Sequence, residues 1–374
     1  MNKIKVIMIN IWKLINNLIY SFIKLFKTKN KITFISRQTN GESLDFDLLI
    51  EEIKSQSPTT QIVVLNKMIE KSIIEKIKYA FYIYYQMYHI ATSRAVILDG
   101  YCIPICTLKH KKNLKVVQIW HALGSLKKFG YSILDKKEGS NSEIALAMNM
   151  HKNYTYILTS SEFTKQFFKE AFNAKEEQMK VMSLPRVDFL TSNLYKENVK
   201  KEFYEYYKQL NGDNKKKILY VPTFRRNVVE NFESIINSVN YDKYDLIIKS
   251  HDDTELVYKN KEEVYSEKTN FSGMELLHVA DYVITDYSAI IYEAAIANKP
   301  TYLYNYDYEE YIEGRGFYID YYSEMPGVIS KEIKEILKEI ENDKYNYTRL
   351  EEFRTKYVAE VNNCTKKLAK LIME

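Results

Sequence analysis

Cysteine is scarce in this chain of 374 residues: Cys102, Cys106 and Cys364 are the three present. So small and odd a set builds no disulfide framework and fits a reducing cytoplasm. Cys102 and Cys106 lie near His110, but Pro104 separates them and no fourth ligand follows at zinc-finger spacing, so buried free thiols are expected. No apolar run of about 20 residues escapes interruption, so a clean membrane span is not expected. No small-residue cleavage site is evident after the apolar N-terminus, so a secretory signal is not expected. Internal repeats and low-complexity tracts are lacking, and no acidic cluster demands a metal; Asp252 and Asp253 read as solvated neighbours. The net charge of +5 is mild for this length and gives no support to nucleic-acid binding.

The composition is globular, with 46% hydrophobic and 28% charged residues, and the length suits two domains. Residues 1–31 carry seven lysines (Lys3, Lys5, Lys13, Lys24, Lys27, Lys29 and Lys31) and no acid. Apolar residues recur through them at helical spacing, from Ile4, Ile7, Met8 and Ile11 to Phe22, Leu25 and Phe26, with Lys13, Asn16, Asn17 and Lys24 interrupting. This predicts an amphipathic helix over about residues 1–30 that lies in the plane of an anionic membrane surface. The competing reading is an ordinary helix packed on the body with its lysines in water.

From Ile32 onward short β-rich runs alternate with helical patterns. Strands are expected at Ile32–Ser36, Gln61–Leu65, Ala95–Asp99, Lys115–Trp120 and Tyr156–Ser160, then at Lys217–Val221, Leu246–Lys249, Tyr282–Thr285 and Thr301–Tyr304. Between the two series lies a charged stretch around Lys196–Lys217 holding Asn211-Gly212-Asp213-Asn214, the most linker-like segment. Continuous apolar strands joined by helices indicate parallel sheets covered on both faces. The expected fold is therefore α/β, with two doubly wound domains (31–195 and 196–374) facing a cleft, the GT-B arrangement. Ligands of such sheets bind at strand carboxyl ends.

Four motifs follow strands. In Gln118-Ile119-Trp120-His121-Ala122-Leu123-Gly124-Ser125-Leu126-Lys127-Lys128-Phe129-Gly130, His121 could deprotonate a hydroxyl because an imidazole's unperturbed pKa is close to working pH, and Lys127 and Lys128 suit a phosphate. A core histidine beside Trp120 is the plainer alternative. Val221-Pro222-Thr223-Phe224-Arg225-Arg226 offers paired guanidinium groups for phosphate oxygens, or only a solvated basic loop. Lys249-Ser250-His251-Asp252 puts a cation and a second imidazole where a diphosphate could be stabilised, unless His251 merely caps a helix. In Thr285-Asp286-Tyr287-Ser288-Ala289 a helix is expected to start near Ser288, with Glu293 beyond it within reach of ribose hydroxyls. That end is an anion site, or simple capping by Asp286 or Ser288.

The order of these blocks resembles the CDP-glycerol glycerophosphotransferases of teichoic acid synthesis, primases and polymerases alike. The likeness runs over about residues 90–325. It also takes in Ser161-Glu162-Phe163, Leu184-Pro185-Arg186-Val187-Asp188, Asn298-Lys299-Pro300, Tyr306-Asp307 and Arg315-Gly316-Phe317-Tyr318. The resemblance implies a membrane-associated enzyme on the cytoplasmic face that transfers glycerol phosphate, or a related polyol phosphate, from CDP-glycerol or another CDP-polyol and releases CMP. It implies His121 and His251 as the catalytic pair. Lys127, Lys128, Thr223, Arg225, Arg226, Lys249, Thr285, Asp286, Ser288, Ala289, Glu293 and Arg315 form the substrate-binding set, with the acceptor on the first domain and the donor on the second. No cofactor beyond the donor substrate and no metal is implied. The expected partners are a lipid-linked acceptor, the anionic membrane surface and other polymer-assembly enzymes, with no nucleic acid. The chain departs from the family pattern at Ala122 after His121, Asp252 after His251, Ala289 after Ser288, and Glu293 where Asp is frequent. The first of these is nearer the priming enzymes. A GT-B enzyme using a nucleotide sugar and a non-catalytic membrane-surface scaffold are the competing functions.

Overall fold

Two six-stranded parallel sheets grow from the apolar runs, as laid out in the computed structural model. The structure describes residues 2–70, 72–223, 232–250, 264–266 and 270–374, with Asn2, Ser266 and Arg315 by backbone alone. The first sheet holds β1 (Lys31–Ser36), β2 (Gln61–Asn66), β3 (Ala95–Leu98), β4 (Lys115–Gln118), β5 (Tyr156–Thr159) and β6 (Met179–Val181) in the order β2-β1-β3-β4-β5-β6. The second holds β7 (Lys216–Tyr220), β8 (Tyr244–Ile248), β9 (Val264–Ser266), β10 (Tyr282–Thr285), β11 (Thr301–Tyr304) and β12 (Ile329–Ser330) in the order β12-β11-β10-β7-β8-β9. This is the expected α/β, GT-B-like class of two doubly wound sheets. Each expected strand is present within two residues of its expected ends. The added strands β6, β9 and β12 have two or three residues, too few to show a periodic signal.

The helices of the first series are α1 (Asn2–Ile23), α2 (Leu44–Gln56), α3 (Ile73–Thr92), α4 (Ile103–Thr107), α5 (Ser142–Ala147), α6 (Glu162–Phe172) and α7 (Arg186–Thr191). Those that follow are α8 (Asn193–Tyr206), α9 (Phe232–Ser238), α10 (Gly273–Val279), α11 (Ile290–Ile296), α12 (Tyr308–Arg315), α13 (Tyr321–Glu324), α14 (Ile333–Asn342), α15 (Tyr347–Tyr357) and α16 (Cys364–Met373). Central strands β1, β3 and β10 are buried along their whole length, as strands covered on both faces must be. In the second unit the core joins Ile218, Leu246, Ile248 and Ile284 to Ile333, Ile336 and Ile340, the apolar stripe of α14.

The chain divides into two compact units: Met1–Leu123, Lys128–Arg186 and Asn363–Glu374 form one, and Gly124–Lys127 with Val187–Asn362 form the other. The charged stretch that reads as a linker holds most of α8, which belongs to the second unit because Val199 and Phe203 are buried there, Phe203 lying 5.3 Å from Phe271. The last helix, α16, belongs to the first unit and packs on α2. Its terminal carbonyls accept from Arg94 Nη1 (Met373 O, 3.0 Å) and Lys115 Nζ (Leu371 O, 2.9 Å), groups a free helix end would leave to water.

The N-terminal helix α1 docks with its polar side. Lys13 Nζ donates to Ala147 O (2.6 Å), Asn17 Nδ2 to Thr107 O (3.2 Å) and Lys24 Nζ to Lys109 O (2.8 Å), while Lys109 N donates to Asn17 Oδ1 (2.8 Å). His110 Nε2 faces the carbonyl of Ile105 and must donate to it, so His110 Nδ1 accepts from Tyr20 Oη (2.9 Å). The residues that interrupt the apolar run are thus the docking face. Ile4, Ile7, Met8, Ile11, Leu14, Leu18 and Phe22 point outward, Leu14 at 73% exposure.

Candidate active site

In the first sheet the strand order reverses between β1 and β3, so their carboxyl ends flank the position where open α/β sheets hold ligands. His121 lies in the loop after β4, next to β3. Its Nδ1 is 2.9 Å from Asp99 O, just past the end of β3. A carbonyl only accepts, so the proton is on Nδ1 and Nε2 carries the lone pair, the tautomer a general base needs. His121 is exposed as a residue yet its ring is crowded by protein, and that crowding, opposed by the Asp99 bond and aided by Arg186, pushes its pKa down to about 4.

The loop is held by its neighbours. Trp120 adopts φ +61°, a backbone state uncommon for a bulky residue. Its N–H donates to Gln118 Oε1 (3.0 Å), and Gln118 Nε2 donates to Gly100 O (2.9 Å), tying the β4 and β3 ends together. The indole stacks on Phe129 at 4.9 Å and 22°, and lies 4.1 Å from the His121 ring. Gly130 of the same motif takes φ +57°, which explains glycine there. Beneath the loop, Arg186 Nε and Nη2 donate to Asp45 Oδ2 (2.9 and 2.5 Å), and Arg186 N donates to Asp45 Oδ1 (2.8 Å). Burial pushes the Asp99 carboxyl up to about 6, with the Ser36 hydroxyl opposing.

The other described histidines settle which imidazole is available. His89, His151 and His278 are buried, and burial lowers the pKa of each. Both ring nitrogens of His110 are bonded. His121 alone among the described histidines is exposed.

In the second sheet the order reverses between β7 and β10. Thr223, after β7, and Asp286, after β10, meet across that point. Asp286 accepts from Thr223 N (2.9 and 3.1 Å), Thr223 Oγ1 (2.7 Å) and Tyr287 N (2.5 Å). Asp286 and Thr285 are fully buried, and Thr285 Oγ1 donates its hydrogen to Val221 O (2.7 Å). These bonds fasten the β7 and β10 loops to each other. Tyr321 Oη completes the brace by donating to Asp286 O (2.9 Å). The Tyr287 ring stacks on Tyr311 at 4.1 Å, and its hydroxyl donates to Asp307 Oδ1 (3.1 Å).

Ser288 and Ala289 sit half-buried at the start of α11. The helix begins at Ile290, near Ser288 as the sequence suggests, with Ala289 as its cap residue and Ser288 Oγ accepting from Ile290 N (3.4 Å). It has seven residues, so local amides rather than a long macrodipole would act on an anion there. Glu293 is buried inside this helix. Lys249 is half-buried after β8, its N–H donating to Tyr220 O (2.9 Å).

Lys127 and Lys128, adjacent in sequence, fall in different units. Lys127 Nζ donates to Tyr311 Oη (3.0 Å) and its backbone bridges to Phe317. Gly124 stands three residues before it because a Cβ there would lie 2.6 Å from Tyr292 Cζ. Lys128 is half-buried in the first unit. Arg225, Arg226 and His251 lie outside the described residues, and Arg315 is placed by backbone only, at the end of α12. Cys102, Cys106 and Cys364 are buried free thiols, as expected. No group of three or more His, Cys, Asp or Glu among the described residues is placed to hold a metal. Sequence reasoning missed the roles of Asp99, Gln118, Tyr321 and the Asp45–Arg186 pair; Arg186 stood in a quoted motif, but its partner lies 141 positions away.

Comparison with known proteins places the chain among teichoic acid enzymes. The chain is 30% identical to the teichoic acid ribitol-phosphate primase of Bacillus spizizenii, over 88% of this chain and 87% of that protein. It is 27% identical to the teichoic acid glycerol-phosphate primase of Bacillus subtilis, over 95% and 94% respectively. A solved structure of the wall teichoic acid polymerase TagF shares the fold, with a TM-score of 0.76 at 18% identity, covering 100% of this chain and 97% of that one. The model of the family CDP-glycerol:poly(glycerophosphate) glycerophosphotransferase matches residues 18–374, and the chain accordingly belongs to that family of transferases.

Proposed function

We propose that this protein moves a polyol phosphate from a CDP-activated polyol to a hydroxyl of a membrane-linked acceptor in the synthesis of a teichoic acid or related wall or capsule polymer. The acceptor oxygen attacks the phosphorus bonded to the polyol, the bond from that phosphorus to the CMP oxygen breaks, and CMP departs with the electron pair. His121 Nε2 takes the acceptor's proton. The observation that carries this reading is that His121 is exposed and its Nδ1 proton is committed to Asp99 O, which leaves the lone pair on Nε2. Lys249, the amides around Ser288 and Ala289, and, outside the described residues, Arg225, Arg226 and His251 are proposed to hold the diphosphate and offset charge on departing CMP. Asp286, Thr285 and Tyr321 keep the loop of Thr223 in place. CDP-glycerol and CDP-ribitol are both proposed donors, since the relatives include primases named for each polyol phosphate.

The protein is proposed to work on the cytoplasmic membrane surface through α1. What supports this is the reversed burial of that helix: lysines and asparagines bond to the body while the apolar stripe faces out. Contacts at Lys13, Asn17, Tyr20 and Lys24 tie the helix flat over several turns, which suits an in-plane element rather than a span. The test is mass spectrometry of products from a defined synthetic lipid acceptor incubated with CDP-glycerol, CDP-ribitol and a panel of nucleotide sugars. A polyol-phosphate mass increment with CMP release is expected. A hexose increment with nucleoside diphosphate release would replace the reading with a sugar transferase, and no increment from any donor would leave the scaffold reading.

A further inference from the structure

We infer that α3 presents a second apolar face that enters the same anionic lipid surface as α1. The inference rests on the surface-bound reading above and extends it from one helix to two. One side of α3 is core: Tyr79, Ile83, Met87 and Ile90 are buried. On the other side Ile73, Ile77, Phe81, Tyr84 and Tyr85 fall on one stripe at helical spacing, and all are exposed, Ile73 at 75% and Phe81 at 71%. A helix apolar on both sides is ordinarily covered on both. An open face of this kind marks a binding surface.

The two open faces adjoin. Helices α1 and α3 pack together, and the Phe26 ring just past α1 meets the Tyr88 ring of α3 edge-on at 5.7 Å. Tyr88 is one turn along α3 from Tyr84 and Tyr85, and Phe26 is one turn past Phe22, so the stripes meet there.

Charge selects the occupant. Exposed Lys3, Lys5, Lys27 and Lys29 flank the α1 stripe, and exposed Lys76 lies beside that of α3, where Lys78 is paired with Glu75 at 2.5 Å. Such a margin attracts anionic headgroups. A second copy of this chain seated face to face would bring these lysines against their own counterparts. Tyrosine rings at the edge of the stripe suit the headgroup boundary, where an apolar body and a polar tip are both accommodated. The geometry has a consequence for orientation: a protein resting on one helix can roll about that helix axis, and a second helix prevents the roll.

The test uses the full chain with equimolar phosphatidylglycerol and phosphatidylcholine vesicles, compared with phosphatidylcholine alone. One variant carries Ile77→Glu and Phe81→Glu; another carries Leu14→Glu and Leu18→Glu. All four side chains are exposed, so both variants should melt like the parent protein. The α3 variant is expected to lose at least about tenfold in partitioning onto anionic vesicles with α1 intact. If only the α1 variant is released, the α3 inference fails and the one-helix reading stands. If neither variant is released, both fail. If the α3 variant binds vesicles like wild type but changes from dimer to monomer in analytical ultracentrifugation, the face belongs to a second copy and the inference is overturned.

Discussion

The two strand-end clusters use the same topology to opposite ends. At the first sheet, the polar groups hold one exposed residue in place: Gln118, Asp99 O and the Trp120 stack fix His121, whose Nε2 is proposed to take the acceptor's proton. At the second sheet, the side chains nearest the reversal of strand order brace the loops, with Asp286 accepting from Thr223 and Tyr287 and Thr285 donating to Val221 O. A residue at a strand's carboxyl end is therefore not a substrate contact by position alone. What distinguishes the two cases is whether its donors and acceptors are already used.

This contrast can be broken at either end. The largest effect is expected at His121: replacement by Ala should lower kcat by about 10²–10⁴-fold while leaving the thermal midpoint where it was, because the residue is exposed. His278→Ala, at a buried ring 4.9 Å from Phe189, should do the reverse, lowering the midpoint with little change in the rate of the surviving folded enzyme. Next is Asp286→Ala, which leaves the Thr223 and Tyr287 amides without their acceptor and should cost about 3 kcal/mol in denaturant unfolding. Gly124→Ala forces a methyl to within 2.6 Å of the buried Tyr292 ring and should cost about 1–3 kcal/mol by the same measurement. Smallest is Tyr321→Phe, which removes one hydrogen bond to Asp286 O and should cost about 1 kcal/mol.

Much of the fold was legible because parallel strands buried on both faces are continuous apolar words in the sequence: KITFIS, AVIL and YVIT are strands wherever they occur in such company. Strand β12 has two residues and leaves no such word. The amphipathic character of α1 was legible, but not which side would dock. In α14 the apolar residues Ile333, Ile336 and Ile340 face the core, whereas in α1 Lys13, Asn17 and Lys24 do the docking. Periodicity gives the stripe; only the partner carbonyls of Ala147, Thr107 and Lys109, about ninety to 134 positions away, give its direction. The motif positions were legible too, since His121, Thr223, Lys249 and Ser288 all follow strands as expected. The division of labour among them was not, because the bonds of Asp286 to Thr223 and of Asp45 to Arg186 join residues 63 and 141 apart.

The pH dependence of transfer follows from the sign of the His121 shift. Its pKa is lowered from 6.5, so the neutral, proton-accepting form persists on the acid side of the ordinary imidazole value and is lost only as pH falls further. The most direct test is the initial rate of polyol-phosphate transfer for wild type and His121→Ala across the acid range up to neutrality. Wild type should lose activity along one limb centred below pH 6.5, and His121→Ala should be at least about a hundredfold slower at neutral pH and lack that limb. A variant that transfers at the wild-type rate, or that keeps the same acid limb, would contradict the assignment of His121 as the base.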